Sequence, residues 1–196
     1  MPTADRSELF AGRAQQAALG VITPAIVRAS QQAVSAVAAQ TEAGYLAESA
    51  HDVAAMRADH RLIRGLSELV AQARKVVLDQ AMAALSDGYR TTMDSEASRL
   101  GLRFTDGPEV AANLLGHPIV DATPTEWATF LAGRLEWRIR GIATRAALGA
   151  IKPAAIPAQT DAAGQAWAVE VARLAGDAWH AGRSAARAAL ARALSS

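Results

Sequence analysis

The chain has 196 residues, of which 51% are hydrophobic, 20% charged and 5% aromatic; it has no cysteine, and its formal net charge is +1. No disulfide framework, thiolate metal site, iron–sulfur cluster or cysteine nucleophile is therefore available to it. A net charge so close to zero also removes whole-molecule attraction for polyanions, so any electrostatic role has to come from local clustering.

Forty-nine residues are alanine, and only Lys75 and Lys152 among the 20 basic residues are lysine. An alanine-rich chain poor in β-branched and aromatic side chains favours helix over sheet, and the expected class is all-α. The length suits one ordinary domain or two small ones. Residues 1–10 carry charges and lack the apolar core of a secretory signal. No run of 18 uncharged apolar residues occurs, so a soluble chain made in the cytoplasm, with no membrane contact, is expected.

In chain order, Thr23-Pro24 reads as an N-cap followed by proline at the first helical position. A helical pattern of Ile22, Ile26, Ala29, Ala33 and Val37 leads from there to about Asp59, weakened by Gly44. A second pattern runs from about Arg61 to Arg99, with Leu62, Leu66, Leu69, Ala73 and Val76 as its stripe and Val77, Met82 and Leu85 widening it. His60, after Asp59, reads as a polar turn residue, and the short join predicts an antiparallel hairpin over residues 1–100. Residues 101–123 hold Gly101, Gly107, Pro108, Gly116 and Pro118 and predict a linker with at most one short helix, capped by Asp106 to Glu109.

A C-terminal helix pair is expected over residues 124–196. Thr123-Pro124-Thr125-Glu126 is a capping box with proline at the first position. The helix it opens reaches about Ala150 and carries Trp127, Phe130, Leu131, Leu135, Ile139 and Ile142. Pro153 and Pro157 are expected to end it, and a last helix to run from about Asp161 to Leu194. Four main helices follow, in hairpin or bundle arrangement around the Gly/Pro linker. On the last of them Trp167, Val171, Leu174, Ala178, Ala181 and Ala185 alternate in steps of four and three, continuing to Ala188. The first half of this seam is bulky and the second small. It packs either inside the bundle or against an oligomer or partner helix.

Two histidines follow a carboxylate at helical spacing: Glu48 precedes His51, and Asp177 precedes His180. A carboxylate three residues before a histidine shares its helix face, as in di-metal carboxylate bundles. The plainer reading is surface ion pairing, because acids are common and the two further glutamates have no clear candidate among Glu68, Asp79 and Glu136. His117, before Pro118, reads as structural. No His-Glu-x-x-His, Gly-x-Ser-x-Gly or phosphate-cradling glycine loop occurs, so no enzyme and no cofactor are expected.

Charge gives a second lead. Between Arg134 and Lys152 five basic residues face one acid, Glu136. At 100° per residue, Arg134, Arg138 and Arg145 fall within about 40° of one another on the helix, with Trp137 adjacent. Such a face suits phosphates or an acidic protein surface, against the alternative of a solvated face paired with local acids. Arg173, Arg183, Arg187 and Arg192 add basic residues on the last helix.

The stretch from Gly107-Pro-Glu-Val through His117-Pro-Ile-Val-Asp-Ala-Thr-Pro-Thr-Glu-Trp-Ala to Leu135-Glu-Trp-Arg-Ile-Arg-Gly-Ile-Ala-Thr-Arg-Ala-Ala-Leu-Gly resembles the middle of bacteriophage head morphogenesis (minor head) proteins. The run Glu170-Val-Ala-Arg-Leu-Ala-Gly-Asp-Ala-Trp-His-Ala-Gly-Arg is similar to that family's arginine-bearing helix with a small-residue exit. The resemblance covers less than half the chain. It implies a virion component assembled in the host cytoplasm, placed near the portal, touching portal or other virion proteins, with homo-oligomers and DNA contact as further possibilities. A di-metal carboxylate protein and a small nucleic-acid-binding module are the alternatives.

Overall fold

The computed structural model describes residues 6–20, 48–101, 108–147 and 150–195, with side chains in the long second helix described from Leu66 onward. Among the described residues the fold is all-α. We name the helices α1 (residues 6–20), α2 (Glu48–Arg99), α3 (Pro108–Leu115), α4 (Pro124–Ala147) and α5 (Ile156–Ser195), with a 3₁₀ turn at Pro153–Ala155. No helix is long and apolar enough to cross a membrane. The expected helix start at Thr23-Pro24, the stripe Ile22 to Val37, Gly44 and the Asp106-Gly107 cap lie outside the described residues.

Three expectations about boundaries are corrected. The helix does not break at Asp59-His60: α2 runs unbroken from Glu48 to Arg99. Neither Asp59 nor His60 removes a backbone donor, and each costs a helix only a few tenths of a kcal/mol, about 0.7 at most, so nothing there terminates the hydrogen-bond ladder. Pro157 does not precede the last helix but sits in its first turn, where a missing N–H has no intrahelical acceptor to lose. Behind it the buried Thr160 hydroxyl donates to the carbonyls of Ile156 and Pro157, at 3.0 and 2.9 Å. Helix α1, in a segment with no strong cap or stripe, was not expected; Ala14 and Ala18 are its buried face.

The division at residues 100 and 124 is also replaced. The chain forms two compact units, one from Met1–Ala18, Lys75–Phe130 and Ala168–Ser196, the other from Leu19–Arg74 and Leu131–Trp167. Helices α2, α4 and α5 each contribute one length to each unit, so no single cut in the sequence separates them.

In the first unit, α2 and α5 cross antiparallel in backbone contact. A Cβ built on Gly182 would fall inside the van der Waals envelope of the Leu85 carbonyl oxygen, and one on Gly88 inside that of the Trp179 carbonyl. Moving three residues along α2 matches moving three back along α5, which fixes the antiparallel sense. Glycine is used here for close approach, not for an unusual φ. Trp179 is fully buried and donates its indole N–H to Asp87 Oδ2 at 3.0 Å. Arg6 of α1 reaches the same carboxylate at 3.2 Å and the Thr91 hydroxyl at 2.8 Å. In the second unit Leu66 and Leu69 from α2, Leu135 and Ile139 from α4, and Ile156 and Trp167 from α5 are buried. Trp167 donates to the Leu131 carbonyl at 2.8 Å.

The capping box forms as read. Thr123 N–H and Oγ1 both donate to Glu126 Oε2, at 2.8 and 2.7 Å, and Glu126 N–H returns to Thr123 Oγ1 at 3.4 Å. The Thr123 backbone N–H, then its hydroxyl, hold the Glu126 carboxyl below its ordinary value of 4.5. A depressed carboxyl stabilises the fold above that ordinary value and stops doing so as pH falls through the lowered one.

Just before the box, Ile119 and Ala122 form a single antiparallel bridge, with Ile119 N–H bonded to Ala122 O at 2.8 Å. Between them Val120 has φ +62° while 67% exposed. A β-branched residue in that region is strained, and tight two-residue turns of this kind place glycine at their first central position. The Val120 side chain has little packing to lose, so Val120→Gly is expected to raise stability by about 1 kcal/mol, the strain relieved less the extra freedom of the unfolded glycine chain. Chemical denaturation of the two proteins measures it, and a loss of stability would refute the strain.

Candidate functional site

The four tryptophans separate into two kinds. Trp127, Trp167 and Trp179 each donate their indole N–H to an acceptor within the chain, Ile119 O at 2.8 Å, Leu131 O at 2.8 Å and Asp87 Oδ2 at 3.0 Å. The fourth, Trp137, is 76% exposed, and its indole has no hydrogen-bond partner among the described residues.

Trp137 lies on α4 at the edge of a groove of about 720 Å³ in the second unit. Arg138, Arg140, Gly141, Ile142 and Arg145 line it from α4, and Gln159, Ala162 and Ala163 from the first two turns of α5. The small residues make it open: nothing lies within 4 Å of a Cβ built on Gly141. The positive charge is partly compensated. Arg140 pairs with Glu136 at 2.6 Å, one turn back on α4, whereas Arg145 Nη2 meets a neutral acceptor, Gln159 Oε1, at 3.4 Å. Arg138 is half-buried, with its Nη1 atom out of contact with solvent. The first turn of α5 adds the partial positive charge of a helix N-terminus.

Of the three arginines singled out from the sequence, Arg138 and Arg145 line the groove and Arg134, though exposed, does not. Arg140 and Gln159 were missed. Arg140 is readable as the i,i+4 partner of Glu136; Gln159 was hidden by the late start assigned to the last helix.

Two of the four basic residues of α5 are engaged within the first unit. Arg183 lies over the Trp179 ring, 5.0 Å from its centroid, and Arg187 pairs with Glu96 at 3.2 Å. The seam read as a possible partner interface is used within the chain. Trp167, Val171, Leu174 and Ala178 are at most 4% exposed and Ala185 is buried, while Ala181 is half-buried and Ala188 exposed. A face already covered by the chain's own helices is core, and the partner-interface reading of these residues is withdrawn.

The carboxylate–histidine pairs belong to different units, and the side chains of one pair, Glu48 and His51, lie outside the described residues. Asp177 is half-buried and His180 exposed on α5 in the first unit; Glu48 and His51 lie on α2 in the second. Among the described residues no three His, Asp or Glu side chains gather where a metal could bind. His117 bonds its backbone N–H to Leu114 O at 3.0 Å, closing α3, and lines a smaller pocket of about 350 Å³ with Tyr89, Asn113 and Arg192.

Comparison with protein-family models, curated proteins and solved structures gives no match for this chain.

Proposed function

We propose that the chain is a virion or head-assembly protein of a bacteriophage that acts through protein contacts, not catalysis, and that the α4–α5 groove is where it meets portal or other virion components. The observation that carries this reading is Trp137. Three tryptophans are tied to the fold by indole hydrogen bonds, and a fourth is displayed at 76% exposure beside arginines. Tryptophan and arginine are the residues most enriched at the energetic centres of protein interfaces, where a large flat side chain and a charged fork are desolvated together. A tryptophan so exposed on a helix contributes little to the fold that bears it. The resemblance of residues 107–183 to minor head proteins supplies the virion context.

Co-sedimentation of the purified chain with portal rings tests the proposal. The chain is expected to sediment with the ring, and Trp137→Ala to weaken that association at least about tenfold, the loss of a moderate interface anchor. A chain that stays monomeric and never co-purifies with virion parts contradicts it. The second reading, a small nucleic-acid-binding module, rests on the same arginines. It requires a steep fall in DNA retention with salt.

A further inference from the structure

We infer that the α4–α5 groove is a docking site for an acidic segment of a partner protein, which places a carboxylate on Arg145 and an apolar side chain beside Trp137. The inference rests on the protein-contact reading above and names the chemistry of the partner.

Charge sets the sign of the occupant. Three guanidinium groups line the groove and none of the described lining residues is acidic; Glu136 of α4 is engaged by Arg140, and the exposed Asp161 of α5 adjoins Ala162 in sequence without lining the groove. Among the described residues the hydrogen bond of Arg145 is a long one, to the neutral Gln159 amide. A carboxylate would replace that contact with shorter, charge-assisted bonds to the planar fork.

Size and lining set the rest. A volume of about 720 Å³ is far larger than a single anion needs and suits several side chains. Its floor of Gly141, Ile142, Ala162 and Ala163 is apolar, and the Trp137 ring stands at its edge. Such a floor rewards an aliphatic or aromatic side chain, which a phosphate backbone lacks. A duplex would also need a track of phosphate contacts, whereas the groove's guanidinium groups come from three residues of one helix, one of them already paired with Glu136. A short segment with both carboxylates and an apolar anchor fits better than nucleic acid.

The test uses the full chain, ¹⁵N-labelled at tryptophan, with its four indole N–H signals assigned. Three probes are titrated: a short peptide of glutamates around a central leucine pair, the same peptide with lysines for glutamates, and a short DNA duplex. The glutamate peptide is expected to shift the Trp137 signal and leave those of Trp167 and Trp179 in place. Arg145→Glu and Trp137→Ala should each weaken its binding about tenfold or more. Both side chains are exposed, so both variants should melt like the parent, and a variant that does not is replaced by Arg145→Gln or Trp137→Gln. An unmoved Trp137 signal, unchanged affinity in the Arg145 variant, or tighter binding of the duplex than of the glutamate peptide overturns the inference. Portal co-sedimentation that survives both substitutions removes the groove but leaves the assembly reading. Peptide binding at the groove by a chain that no virion component retains does the reverse.

Discussion

Gly182→Ala is expected to destabilise the protein by about 2–3 kcal/mol, the range for forcing a group into a packed interior. The sign is the informative part. Alanine is the better helix former by about 1 kcal/mol, so the same change on an open helix face is stabilising. At Gly182 the new methyl group would meet the Leu85 carbonyl and the Tyr89 amide nitrogen, which are backbone atoms of a packed helix and cannot rotate away. Helix α5 would have to lift off α2, and the buried side chains flanking the contact would lose van der Waals partners. Gly88→Ala should behave alike, because its Cβ would meet the Trp179 carbonyl from the opposite helix. Gly133 on α4 is the control: it is exposed, with nothing within 4 Å of a built Cβ, and alanine there should add about 0.5–1 kcal/mol. Urea unfolding of the three variants measures the contrast. Stabilisation by all three would remove the backbone contact from the account of this fold.

Trp167→Ala should cost about 3–5 kcal/mol, the usual penalty for deleting a fully buried aromatic side chain. Trp167→Phe separates two contributions. Phenylalanine keeps much of the apolar body but loses the bond to the Leu131 carbonyl, so its cost is expected at about 1–2 kcal/mol. Trp137→Ala, on the same scale, should change stability by less than about 0.5 kcal/mol, as an exposed substitution does. Thermal denaturation read by circular dichroism ranks the three. A large loss at Trp137 would mean that it is part of the core and would remove the observation on which the docking reading stands.

Much of the helical framework was legible because its signals are local. The box at Thr123 to Glu126 needs only residues three apart, and it appears with all its hydrogen bonds. Of the eight apolar positions read from periodicity on α2, Leu66, Leu69, Ala73, Val76, Val77 and Leu85 are buried, Met82 is half-buried, and the side chain of Leu62 lies outside the described residues. Two local readings failed for a shared reason. Polar residues at Asp59-His60 and a proline at Pro157 were taken as stops, although a helix tolerates the first and accepts the second in its opening turn. The second error hid Gln159, one of the three residues that α5 gives to the groove.

The fate of the seam on α5 lay beyond local reasoning. Trp167 to Ala185 reads equally well as core or as interface, because heptad spacing states which side chains share a face and not what covers it. Its alanines were expected to permit close helix approach. Backbone contact in the small-residue half of the seam is made at Gly182, which meets Leu85 while Gly88 meets Trp179; the two glycines lie 94 positions apart and no periodicity links them.

Composition and spacing by themselves determined that the chain is helical, which faces are apolar, where α4 begins, and that no cysteine chemistry is available. These follow from propensity, capping and periodicity, whose physics acts within a few residues of chain. Only the tertiary structure decided which apolar face is covered, which arginines are engaged by neighbours, and which of four tryptophans is left to solvent. Those outcomes depend on contacts between residues distant in sequence, and a side chain's burial is a property of what packs against it.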